Sequence, residues 1–111
     1  MNFSSALTSV SAMLPVARAV EYTGVSAYLG ATQLIEDPTV LAFAASIMTN
    51  EARHQSVLNL MQGAGPNPQA FDVPMLPNEV LAIAGGFITG PCDTGITRAC
   101  VTETNQAKFL I

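Results

Sequence analysis

Apolar residues recur at helical spacing from about Val10 to Ile35, through Val16, Val20, Tyr28 and Ala31, with Ser9 or Ser11 placed to cap the start. Pro15 is compatible with a helix that begins within the preceding turn and would kink one that begins earlier. Gly24 and Gly30 are poor helix formers, yet beside Ala27 and Ala31 they make a thin surface that another helix can approach closely. Glu36-Asp37-Pro38 then punctuates the chain, because Asp caps a helix whose first position is Pro. A second helix is expected over 38–62, through Val40, Leu41, Ala44, Ile47, Met48, Leu58 and Met61, stopped by Gly63. Its apolar stripe is interrupted by Glu51 and His54. Ala31, Ala44, Ile47 and Leu58 fall at core or interface positions. From Gly63 to Leu76 the chain turns to Gly, Pro, Asn and Gln, an ordered loop with Phe71, Val73, Met75 and Leu76 as plugs against the helices. Pro77-Asn78-Glu79 opens a short third helix over 77–88, and residues 90–111 read as an irregular tail. The expectation is an all-α single domain over 1–111: a helical hairpin plus a short third helix.

Composition changes that picture in one respect. The 111 residues are 50% hydrophobic and only 11% charged, with mean hydropathy +0.39. So few charges cannot cover a domain of this size without leaving apolar area exposed, so an oligomer or a part of a larger bundle is expected. The four basic residues, Arg18, Arg53, Arg98 and Lys108, are scattered, whereas a phosphate-tracking surface clusters them; nucleic acid is excluded as a partner. No apolar run reaches the roughly 20 residues of a membrane span. Ala17-Arg18-Ala19 has the small-x-small form of a leader cleavage site, but no basic residue precedes it and the helical pattern runs through it. Secreted and cytoplasmic locations both stay open. Cys92 and Cys100, eight apart, form no Cys-x-x-Cys pair; they would close a loop in an oxidising compartment and stay thiols in the cytosol.

The chemistry concentrates at Glu51-Ala52-Arg53-His54. Residues three apart on a helix share a face, so the carboxylate and the imidazole converge. Glu21 precedes the inter-helix turn by about as many residues as Glu51 follows it, and at about 1.5 Å per residue the two stand at the same height in an antiparallel pair. Tyr28 lies two turns along from Glu21. One Glu from one helix and Glu-x-x-His from its neighbour is half of a carboxylate-bridged dinuclear metal site. The competing reading is structural: Glu51 pairs with Arg53 or Arg18, His54 fills a polar niche, Tyr28 is an amphipathic core residue and the Met residues fill gaps. One His is too few for a zinc hydrolase, and no spacing supports a Ser/His or Cys/His nucleophile.

The run from Glu21 through Tyr28 to Ala31, with Ala44-Ala45-Ser46-Ile47, Glu51-Ala52-Arg53-His54 and Asn67-Pro68-Gln69-Ala70-Phe71-Asp72, resembles the C-terminal half of the ferritin-like domain of fungal and plant desiccation- or stress-related proteins. The likeness covers about residues 8 to 95, and Glu21-x6-Tyr28 is also similar to the helix pattern of rubrerythrin-type relatives. It implies a ferritin-like four-helix bundle of which this chain is half, with Glu21, Glu51 and His54 as metal ligands and Tyr28 behind them. A single copy then holds too few ligands for two metal ions, and a homodimer through the first two helices would supply the rest as a shared dinuclear iron or manganese centre. Three functions follow as expectations. The first is a small non-catalytic helical protein, stress-associated or secreted, with at most vestigial metal binding. The second is a homodimeric metal-binding or oxidase-type protein. The third is a module recognised by a receptor or protein partner, including a taste-active role.

Overall fold

The computed structural model describes residues 2–87, and all its regular elements are helical. Helix α1 spans Val10–Ala31, α2 Pro38–Met61 and α3 Pro77–Ala84, with single 3-10 turns at Ala6–Thr8 and Gly85–Phe87. The tail from residue 88, including Cys92 and Cys100, lies outside the described residues.

The ends of the helices follow from local chemistry. Ser9 accepts the Ala12 N–H at 3.1 Å and caps α1. That start puts Pro15 inside the helix, where it cannot donate to the Ser11 carbonyl. α1 stops at Ala31, four residues short of the expected Ile35. Thr32 turns its hydroxyl back onto the Leu29 carbonyl (2.6 Å) and Leu34 N–H closes a turn on Ala31 (2.9 Å), diverting the backbone into the connection. Asp37 accepts from Thr39 and Val40 (2.7 and 3.1 Å) and, with Pro38 in the first turn, starts α2. These amide bonds hold its carboxyl below the ordinary range. At the other end Gly63 takes φ +74°, Ala64 N–H reaches Asn59 O and Gly63 N–H reaches Leu60 O, each at 2.9 Å. That pair of bonds is a Schellman stop, and glycine adopts its left-handed residue without strain. The Glu79 carboxylate accepts from Leu76 N–H at 2.6 Å and fixes the start of α3. Gly85 and Gly86 end α3 before the expected residue 88.

The core is thin. Among the described residues only Ala6, Val25 and Ala44 are buried apolar residues, beside the buried polar Thr23, Ser26 and Asn59. Asn59 is fully buried because it joins three elements. Its Oδ1 accepts from Arg18 Nε of α1 (2.6 Å), and its Nδ2 donates to the Pro66 carbonyl of the loop (3.0 Å). The loop then crosses α1: Met75 N–H donates to Ser26 O at 2.9 Å, and a side chain at Gly30 would collide with the Met75 carbonyl. Gly30 therefore admits the loop backbone, not a helix. The expected plugs are corrected likewise, since Phe71 is 87% exposed and Val73 and Leu76 are also exposed. Met75 alone is half-buried, because the loop docks by backbone hydrogen bonds instead of apolar side chains. At the start of the chain the Phe3 ring stacks on Phe87 with centroids 4.9 Å apart, and Asn2 N–H donates to Phe87 O.

Candidate metal centre

Antiparallel packing of α1 on α2 brings Glu21, Glu51 and His54 to one recess of about 510 Å³, which Ile47, Asn50 and Arg53 also line. His54 Nδ1 lies 3.2 Å from Glu21 Oε1, and its Nε2 lies 3.3 Å from the Asn50 amide. Arg53 donates to Asn50 Oδ1 (3.2 Å), which turns the amide nitrogen toward the ring. With Asn50 donating to Nε2, the ring proton sits on Nδ1 and is donated to Glu21.

Glu51 is placed differently. Its carboxylate lies against Gly24, where a Cβ would sit 2.5 Å from Oε2. The absent side chain at Gly24 makes room for the carboxylate. Glu51 Oε2 is buried and has no hydrogen-bond partner among the described residues. Burial first, and then the neighbouring Glu21 charge, push the Glu51 carboxyl above its ordinary value of 4.5, with His54 opposing.

The sequence proposed alternative partners for Glu51 in Arg18 and Arg53. The structure gives Arg18 to Asn59 and Arg53 to Asn50, so neither neutralises Glu51. Tyr28 is half-buried and does not line the recess. Sequence reasoning passed over Asn59; Asn67, quoted there only as part of the family resemblance, accepts from Ser56 at 3.0 Å. The available signal was a polar residue embedded in Val57-Leu58-Asn59-Leu60-Met61.

The donor set fits a cation such as iron or manganese: two carboxylates, one imidazole, and a buried carboxylate oxygen with no partner of its own. It is nevertheless a partial set. Among the described residues no three His, Cys, Asp or Glu converge closely enough to hold an ion within one chain.

His54 also belongs to a second pattern. Val40, Phe43, Ile47, Asn50, His54, Val57 and Met61 are all exposed and repeat every three and four residues along α2, the spacing of a helix-packing seam. Val10, Met13 and Val20 of α1 are exposed as well. Among the described residues no helix is long and apolar enough to cross a membrane.

A family model described as a ferritin-like domain matches residues 1–64, more than half of the chain. No curated protein and no solved structure matches.

Proposed function

From the premise that the chain belongs to the ferritin-like domain family, we propose that it is a small non-catalytic helical protein, stress-associated or secreted, that pairs with a second copy through α1 and α2 and holds a cation weakly at that interface. The observation that carries this reading is the exposed seam on α2 with Asn50 and His54 at its middle. The seam is self-complementary. Two antiparallel copies crossing near Asn50 would set Val40 by the partner's Met61, Phe43 by the partner's Val57 and Ile47 by the partner's His54. Two helices about 10 Å wide and roughly 35 Å long offer about 700 Å² per copy, close to the roughly 800 Å² per partner of a stable interface.

The residues then have separable roles. Glu21 holds the His54 ring through Nδ1, and the Nε2 lone pair would serve a cation once the Asn50 amide swings away from it. Glu51 presents an oxygen that is costly to ionise without a cation beside it. A bound iron or manganese ion would supply positive charge and, as a redox metal, one-electron chemistry. Pairing brings two copies of Glu21, Glu51 and His54 to one seam. That convergence supports the second reading, a homodimeric dinuclear metal-binding or oxidase-type protein.

The test is metal analysis after anaerobic loading with ferrous iron, on the parent and on Glu51→Ala, His54→Ala. Retained metal in the parent alone supports binding at this cluster. Equal content in both proteins leaves a structural role only. Dioxygen consumption by the loaded parent would favour the second reading over the first.

A further inference from the structure

A second and larger cavity, about 870 Å³, lies between α1, α2 and the loop, on Pro15, Arg18, Tyr22, Arg53, Asn67 and Phe71 among others. Its chemistry differs from the carboxylate recess. Both arginines of the described residues border it, and neither pairs with a carboxylate among those residues. Arg18 is half-buried and anchored through Nε to the fully buried Asn59, so its guanidinium is held in place with both terminal nitrogens left to donate. Gln62 faces the same cavity, and its Nε2, shut off from solvent, has no acceptor among the described residues. Gln55 and Gln69 add further amides, and Tyr22 and Phe71 add ring faces. Phe71 stands at the rim, 87% exposed, which is unexplained by the packing of this chain.

We propose that this cavity binds a small hydroxylated carboxylate of the sugar-acid class. A carboxylate matches the planar fork of a guanidinium, and a fixed Arg spends little entropy on the bond. The amides suit hydroxyl groups, which both donate and accept, and a ring face suits the C–H side of a pyranose. Asp72 on the lining, together with the net charge of −4, disfavours a phosphate dianion relative to a single carboxylate. The proposal requires no metal at Glu21, Glu51 and His54, although Arg53 borders both cavities.

The test is titration of the full chain with glucuronate, followed by calorimetry and amide chemical shifts, with glucose and inorganic phosphate as comparison probes. Arg53→Gln and Phe71→Ala are the variants, since both side chains are exposed and neither anchors Asn59. Saturable glucuronate binding is expected, with shifts at residues 62–72, weakened roughly tenfold or more by Arg53→Gln through loss of a charge-assisted bond. Glucose is expected not to bind. Absence of saturation at millimolar glucuronate, equal affinity in Arg53→Gln, saturation by glucose, or tighter binding of phosphate than of glucuronate would each overturn the proposal.

Discussion

The two long sides of the α1/α2 pair are built from opposite materials. On the side crossed by the loop, contacts use glycine, serine, asparagine and backbone: Gly30 under Met75, Ser26 O to Met75 N–H, and Asn59 between Arg18 and Pro66. On the open side stand large apolar groups, with Phe43 68% exposed and Ile47 and Val57 exposed beside it. Small residues and directed hydrogen bonds mark surface that the chain covers itself. Large apolar residues in helical register mark surface that the described residues leave uncovered, and that the proposed pairing would bury.

The comparison breaks most easily on the covered side. Gly30→Val would drive a branched side chain into the Met75 backbone and is expected to undock the loop at a cost of about 3 kcal/mol. Thermal unfolding checks the cost, and faster amide exchange at Met75 would locate it. Asn59→Ala should cost about 2 kcal/mol, because Arg18 loses a charge-assisted bond and the Pro66 carbonyl loses its donor. An unchanged urea midpoint would show that Asn59 is not the joint between helices and loop.

The carboxylate recess opens on the seam at Ile47, Asn50 and His54, and should respond with the opposite sign. The folded Glu51 carboxyl titrates above its unfolded value of 4.5, so the native state binds its proton more tightly. Its contribution favours folding at low pH. That contribution is lost as pH rises from the unfolded value through the folded one, leaving a destabilising charge above. Glu51→Gln removes this charge and should raise the metal-free melting temperature at neutral pH by a few degrees, while abolishing the gain on acidification through that window. A melting temperature lowered at neutral pH would mean that the ionised carboxylate is stabilising. The smallest effect belongs to Asp37, whose carboxyl is held low by the α2 amides. Its stabilisation is present above the unfolded value and lost as pH falls through the folded one. Asp37→Asn keeps a cap without a titrating group, and should flatten this acid-side dependence.

The fold was legible where local chemistry decides: Ser9, Asp37-Pro38 and Gly63 end or start helices where their residue types predict. The juxtaposition of Glu21, Glu51 and His54 was legible through arithmetic, since matched heights require only a straight antiparallel pair. The apolar side chains of the loop suggest plugs, whereas docking relies on backbone groups that leave no hydrophobic signature. Periodicity alone overestimates α1, because Ile35 continues the apolar pattern after Thr32 has already turned the chain. Ile47 is expected at a core or interface position; it is exposed in the single chain, so the core reading fails, and only the proposed pairing would cover it.

The central claim is that a second copy covers the open side. Light scattering on the chromatographed protein at micromolar concentration, with Phe43→Asp, Ile47→Asp alongside, tests it directly. The account predicts twice the chain mass for the parent, and for the variant the mass of one chain with helical circular dichroism retained. A parent that elutes and scatters as a single folded chain would contradict it.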